Sequence, residues 1–448
     1  MGSSSQPSGR VPSPIRRIAA ASLAGNTVEY FDFAIYGLAA ALFFPKLFFP
    51  GADPLLGTLL AFSTMASGYF VRPLGAIVFG HFGDKWGRKP VLVITLLLMG
   101  GSTIAIGLLP TYDQIGILAP FALVALRLVQ GFSVGGEWGG AVLMAFEHAP
   151  VRKRGFYASV PQVGPAAGTL LGQAVFLLTT LLPEEQLLDW GWRLPFLLSA
   201  LLVVIGYVIR RRLDESPVFL AAVAERAHVG SPLAHVLRTD LRRVLLVTGG
   251  FLGFGAMSTA VANYFIGAGT SIYDIPRSTL LTAVLISTAV QIPAILFGGR
   301  QSDRSPSRTP QLVAGGLLCV GGIFLIAWSV STASAVLIAL AYALAFGIFY
   351  SVVYGAQPAI FAESFDPARR FTGMSLGYQL GNVLGTGPMP VFAVMIYGAT
   401  GSIYAVAGLV AVLLLISVSC LIPLTREADA RRKREIEADA TDDRVYTA

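Results

Sequence analysis

Five ionisable side chains interrupt long apolar stretches in the first third of the chain: Glu29, Asp32, Arg72, Arg127 and Glu137. Glu29, Asp32 and Tyr36 recur at i, i+3 and i+7, which puts them on one face of a helix. Where such stretches cross a bilayer, each central charge costs about 2.5–3.5 kcal/mol on insertion scales, so an ion kept there is a functional candidate. Three acids face two arginines. One carboxyl therefore lacks a cation, and its neutral, protonated form is the cheaper one to bury. An acid that takes up a proton on one side of a membrane and releases it on the other couples a carrier to a proton gradient. Asp32 is the expected proton carrier with Arg127 tuning it, and Glu29 and Glu137 are the other proton-coupling candidates. In the plainer reading, Asp32 and Arg127 form a fixed ion pair that locks two helices. Arg72 is the expected substrate anchor, because a guanidinium can grip a carboxylate with two parallel hydrogen bonds. Its plainer role is as partner to Glu137 or Glu29.

Neutral hydrogen-bonding groups complete the expected substrate-binding set. Tyr36 and Gln162 lie in the first half, and Asn263, Tyr264, Gln291, Tyr354, Gln357, Tyr378, Gln379 and Asn382 in the second. Each could instead be an interhelical contact. Charged chemistry on one half and neutral groups on the other suit a cleft that opens alternately to two sides.

The elements that must position these residues are membrane-spanning helices. Hydrophobic residues make up 54% of the 448 and charged residues only 13%, about half the charge of a soluble domain. The mean hydropathy is +0.69. These values exclude an ordinary soluble enzyme and a disordered scaffold. Twelve apolar runs, from 18–44 to 402–421, are long enough to span. With no water to satisfy backbone groups, runs of this length are helices and not barrel strands. The first run is too long for the core of a cleavable signal peptide and contains two acids. The expected fold is an all-α membrane protein of twelve transmembrane helices in two pseudo-symmetric six-helix bundles. Its parts are an N-terminal tail at 1–17, a first bundle at 18–209, a linker at 210–243, a second bundle at 244–424 and a C-terminal tail at 425–448. Arginines of the linker are expected near anionic lipid heads, and the alternating charges of the C-terminal tail as a short solvated helix.

Lys and Arg set the expected orientation. If both termini are cytoplasmic, 27 of the 32 lie on the inner side, as the positive-inside rule requires. The net charge of +7 then calls for no nucleic-acid partner. A repeat supports two homologous halves. Gly80, Asp84, Lys85, Arg88 and Lys89 follow the second run, and Gly299, Asp303, Arg304 and Arg308 follow the eighth. Glu147 and Arg154 are answered in the same way by Glu363 and Arg370. The second loop reads as degenerate, with Pro306 and Ser307 in place of Gly87 and Arg88. Gly80, Asp84, Lys85, Arg88, Lys89, Glu147, Arg154, Asp303, Arg304, Glu363 and Arg370 are the expected gating residues, joining the bundles at the inner face by charge-assisted bonds. Gly131, Gly135 and Gly139, then Gly164, Gly168 and Gly172, and again Gly377, Gly381 and Gly385, recur every fourth residue; these are close-packing surfaces.

The loop Gly80, Gly83, Asp84, Lys85, Gly87, Arg88, Lys89 resembles the signature between spans 2 and 3 of the major facilitator superfamily. Three further stretches resemble its metabolite:proton symporter family, which includes shikimate, α-ketoglutarate, citrate and proline/betaine carriers. They are Glu29 to Phe33 in the first span, Arg72, Pro73 and Gly75 in the second, and Arg127 to Gly140 in the fourth. Trp190 to Phe196 and Glu215, Ser216, Pro217 and Phe219 add to the likeness, which is strongest over 25–219. The resemblance implies the major facilitator fold and a symporter of the bacterial inner membrane. Related proton-coupled sugar carriers pair a span 1 acid with a span 4 arginine.

The expected function is thus proton-coupled import of a small organic acid, betaine or amino acid by alternating access, by a monomer that needs no cofactor. A proton-coupled exporter is the alternative, since Gly164, Pro165 and Gly168 partly resemble an antiporter signature, and a passive facilitator comes third. No catalytic constellation for an enzyme is visible. The four His and two Cys show no metal-ligand spacing.

Overall fold

The computed structural model describes residues 15–447 except 53, 180, 212, 217–219 and 221–231. The N-terminal tail to residue 14 and the centre of the expected linker lie outside the described residues. All regular structure among the described residues is helical. The long helices are α1 Ile15–Leu42, α2 Pro54–Trp86, α3 Arg88–Leu108, α4 Leu118–Glu147, α5 Gly164–Thr179 and α6 Leu194–Arg211. They continue with α7 Leu241–Ser271, α8 Arg277–Arg304, α9 Thr309–Ser331, α10 Ala335–Glu363 and α11 Arg370–Thr400, and end with α12 Ile403–Thr447. Nine stretches among the described residues are long and apolar enough to cross a membrane.

The first and last six helices pack by the same plan. α1 lies on α5, α2 on α4 and α3 on α6; correspondingly α7 lies on α11, α8 on α10 and α9 on α12. The glycine series make these approaches possible. A Cβ on Gly131 would overlap the Gly68 carbonyl, one on Gly168 the Thr27 carbonyl, and one on Gly385 the Leu252 carbonyl. Small residues of this kind let helix backbones touch where no hydrophobic force drives them together.

Two expected runs differ in detail. The fifth is broken, with a short helix at Arg154–Ser159 and a tight turn at Pro161–Val163 ahead of α5, because Pro161 has no N–H to continue a helical ladder. The twelfth does not stop at 421 but continues through the tail to Thr447. Three π-helical turns interrupt the second half, at Ala260–Tyr264 in α7, Tyr342–Tyr350 in α10 and Asn382–Thr386 in α11. Turns of this kind frequently mark functional positions.

The halves meet mainly near the face that carries the tail. There α11 packs on α2 and α4, and the Arg154–Ser159 helix packs on α8 and α10. Towards the opposite face, Phe265–Ser271, Met389–Thr400 and α1 pack extensively only against helices of their own half. The molecule is closed at the tail face.

Candidate functional site

Asp32 is 1% exposed. Its Oδ2 accepts a hydrogen bond from Thr103 Oγ1 at 2.6 Å, and Oδ1 makes none. Arg127 forms no ion pair with it. Instead Nη1 donates to Gln130 Oε1 at 2.7 Å, and Gln130 Nε2 donates to Thr103 Oγ1 at 2.6 Å. The direct Asp32–Arg127 pair expected from the sequence is therefore a relay through two neutral side chains. Gln130 follows Arg127 by one helical turn and takes its guanidinium, while Thr103 of α3 takes the carboxylate. Arg127 Nε and Nη2 make no hydrogen bond, and the guanidinium lies 3.8 Å above the Tyr36 ring. The Tyr36 hydroxyl bonds Thr64 at 2.5 Å.

Arg72 also lacks an ion pair among the described residues. Its guanidinium lies 3.9 Å over Tyr69 and 4.7 Å from Phe33, the ring that Arg127 approaches at 5.2 Å. Two guanidinium groups thus lie against one aromatic ring without a contacting carboxylate. Neither expected partner of Arg72 reaches it. Glu29 is buried with Oε2 unbonded. Glu137 is gripped by both Nη atoms of Arg210 and by Thr95 Oγ1 at 2.6 Å. The sequence reading placed Arg210 in the linker, near lipid heads; the structure buries it to 2% exposure. Three arginines thus stand against the three acids, and the count that left one carboxyl over is corrected. What survives is geometric, because Glu29, Asp32, Arg72 and Arg127 remain without contacting counter-ions.

The neutral candidates divide by their bonding. Gln162 accepts from Trp138 Nε1 at 2.6 Å, and Asn382 bonds the Tyr378 carbonyl and Thr386 within its own helix; both hold protein groups. Buried polar atoms without a hydrogen bond remain on Gln291, Gln357, Gln379 and Tyr264. Gln357 and Gln379 each spend their amide nitrogen on a carbonyl, of Gly250 and Val134 respectively. Tyr264 lies edge-on to Phe265 with ring centres 5.3 Å apart, and Asn263 is exposed. Tyr378 lies flat on Trp138 with ring centres 3.5 Å apart, and Tyr354 stacks on Tyr350 at 5.3 Å. The Trp138–Tyr378 stack joins the two halves.

At the tail face the repeated loops form two related gates. Asp84 accepts from the N–H groups of Phe371 and Thr372 at 3.2 and 2.9 Å, and from Thr372 Oγ1 at 2.7 Å, so it caps the N-terminus of α11 across the halves. Gly80 and Gly83 have no side chain because Thr372 and Phe371 fill that space. Asp303 does the same for the helix at Arg154–Ser159, accepting from Gly155 and Phe156 N–H at 2.7 and 2.8 Å. Glu147 bridges Arg88 at 3.3 Å and Arg370 at 3.5 Å. In the second gate Arg308 pairs with Glu363. The loop read as degenerate is complete, because Arg308 fills the place of Arg88 from one residue further along. Lys85, Lys89 and Arg304 form no ion pair among the described residues, so these three expected gate residues stand outside the network. Glu215 has a role that its motif does not reveal. Its carboxylate accepts from Arg88 and Lys89 N–H at 3.0 and 3.1 Å and caps α3. Gly87, at φ +104°, has no room for a side chain beside it.

Over residues 425–437 the tail is solvated on one face only, where Arg426, Ala430, Lys433, Arg434 and Glu437 are exposed, and is docked on the other. Thr425 and Ala428 are fully buried and Arg432 is 8% exposed. Asp429 accepts from Arg308 N and Nε at 2.9 and 2.7 Å, and Arg431 pairs with Asp366 at 3.1 Å. Alternating signs read as a water-facing pattern because their partners, on α8, α9 and the turn before α11, are distant in sequence.

Comparison with known proteins places this geometry in a family. A model of the Major Facilitator Superfamily matches residues 23–377 and 270–442. The inner membrane metabolite transport protein YhjE of Escherichia coli is 37% identical over 415 residues, covering 90% of this chain and 93% of that protein. The shikimate transporter of Escherichia coli is 36% identical over 385 residues, covering 84% and 87%. The proline/betaine transporter of the same species is 47% identical over 205 residues, covering 46% and 41%. Among solved structures, the proton:xylose symporter XylE superposes with a TM-score of 0.72 at 16% identity, over 93% of this chain and 98% of that one, a likeness of fold. The chain is a multi-pass membrane transporter and not an enzyme, and it belongs to the major facilitator superfamily.

Proposed function

We propose that the chain is a proton-coupled symporter that imports a small carboxylate-bearing metabolite across the bacterial inner membrane. Asp32 carries the reading. It is a buried carboxyl with one oxygen on a hydroxyl and the other unbonded, and it is linked to Arg127 only through Gln130 and Thr103. Such a group can hold a proton while enclosed and surrender it when water reaches it. Glu29 is the second candidate, whereas Glu137 is committed to Arg210. Arg72 and Arg127 present free N–H groups against Phe33, and a carboxylate would supply the counter-ion that both lack. The relatives named for shikimate and for proline/betaine have cargoes that share a carboxylate. With the Lys- and Arg-rich loops and both termini in the cytoplasm, closure at the tail face makes this the outward-facing state. The proton gradient supplies the drive without a cofactor, and one chain holds both halves of the site.

The test is uptake into proteoliposomes of labelled organic acids, betaines and amino acids, with and without an imposed pH gradient. Accumulation of a carboxylate that follows the gradient is expected. Asp32→Asn is expected to abolish uphill accumulation while retaining counterflow exchange. Normal accumulation by that variant, or uphill transport indifferent to an uncoupler, overturns the reading.

A further inference from the structure

The two gates share a plan but are closed differently. In the first, Arg370 of the second half reaches Glu147 of the first. The repeat makes Arg154 the counterpart of Arg370 and Glu363 the counterpart of Glu147. Arg154 does not bond Glu363, whose Oε1 is buried without a hydrogen bond. It pairs instead with Glu435 on the tail helix, while its guanidinium lies 4.8 Å over Phe146.

The tail is firmly fixed to the second half. Asp429 caps the start of α9 through Arg308 N–H and also holds the Arg308 side chain. Arg432 donates to the carbonyls that end α8, those of Ser302 at 3.0 Å, Ser305 at 3.4 Å and Asp303. Asp429, Arg432 and Glu435 are spaced i, i+3 and i+6, one face of a helix. The same face that grips the α8–α9 turn thus carries Glu435 across to Arg154 in the first half. When the halves part at this face the tail travels with the second, and the Arg154–Glu435 bond lies across the seam.

We propose that Glu435 is a gate residue: the tail supplies the cross-half ion pair that Glu363 does not make, and this bond must break each time the tail face opens. It is a positioning residue that acts through Arg154 on the balance between the two states. The proposal rests on alternate opening of the two faces and not on the choice of cargo or on proton coupling.

The test needs neither cargo nor gradient. Ser375 is buried in the closed seam, where it fills the space beside Gly139, and Asn263 is exposed in the π-turn of α7. In full-length protein with Cys319→Ala and Cys420→Ser, purified in lipid nanodiscs, Ser375→Cys and Asn263→Cys are separately labelled with a maleimide. The bond is partly exposed, with side-chain exposures of 11% and 42%. Glu435→Gln is therefore expected to raise labelling at Ser375→Cys by roughly one-and-a-half- to fivefold, the range for such a pair, and not to raise it at Asn263→Cys. Exchanging the charges, Arg154→Glu with Glu435→Arg, restores the parent rate. Parent-like labelling in Glu435→Gln overturns the proposal. So does a rise that the charge exchange fails to reverse, or a rise at both reporters, which is loosening of the whole fold. Failure of the symport reading leaves all these rates unchanged, so the two can be told apart.

Discussion

The two six-helix halves share a packing plan and divide the polar chemistry between them. At membrane depth the first buries Glu29, Asp32, Arg72, Arg127, Glu137 and Arg210. Among the described residues, the corresponding part of the second buries no Asp, Glu, Lys or Arg, but it contains all three π-helical turns. One half stores charge on regular helices whose ion pair and relay fix their spacing. The other offers neutral groups on helices whose hydrogen-bond ladder is already locally reset. A fixed charged wall and a softer neutral wall are what a cleft needs if one side is to bind and the other to adjust.

The largest expected effect tests the charged wall. Arg210→Leu leaves Glu137 buried without its cation and is expected to destabilise the fold by about 3–5 kcal/mol. Heating the detergent-solubilised protein and following the loss of its monodisperse peak measures this. Adding Glu137→Leu to Arg210→Leu should recover most of the loss, because a matched apolar pair carries no stranded charge. Should Arg210→Leu alone be tolerated, Glu137 is not held by this pair, and the first half is less rigid than its bonding implies.

Much of this division was legible beforehand. The charged residues of α1, α2 and α4 stood out because an ion in an apolar run is costly. The paired loops at Asp84 and Asp303 stood out because they repeat. Arg210 was missed for a physical reason. It ends an apolar run on the side where interfacial arginines are expected, and only the fold shows that α6 brings it to Glu137. Gln130 and Thr103 are unremarkable in composition, so a relay through them was invisible until α3 and α4 were packed. Arg308 stands one residue out of step with Arg88 in the repeat, and a guanidinium is long enough to absorb that step. The π-turns left no trace that helical periodicity could reveal.

An intermediate effect tests the softer wall. A Cβ at Gly135 would overlap the Arg72 carbonyl, and one at Gly385 the Leu252 carbonyl. The two clashes are alike, but Gly385 lies inside a π-turn and Gly135 in a regular helix. Gly135→Ala is expected to cost about 1–3 kcal/mol, the usual range for overpacking, and Gly385→Ala clearly less, measured by the same thermal assay. Equal losses would show that the π-turn of α11 gives no slack, and the contrast between the halves would then be one of charge alone.

The smallest effect separates the tail from proton chemistry. Partial burial raises the carboxyl of Asp366, but Arg431 and Arg369 outweigh it and hold the group below its ordinary value of 3.8. A carboxyl depressed on folding contributes its stability above the unfolded value, and loses it only as the pH falls through the lower folded one. Docking of Arg431 on Asp366 is therefore expected to be constant from pH 7 to about 5 and to weaken only below about 4. Labelling of Ser375→Cys, followed against pH in the parent and in Asp366→Asn, checks this. The two profiles should run parallel above pH 5, offset by little, because the pair is partly exposed. Because maleimide adds to the thiolate, each rate is divided by that of the unfolded protein at the same pH. A remaining slope shared by both lies outside the Asp366 pair, and its disappearance in Asp32→Asn would assign it to the charged half. A slope that Asp366→Asn removes would place the pH response in the tail.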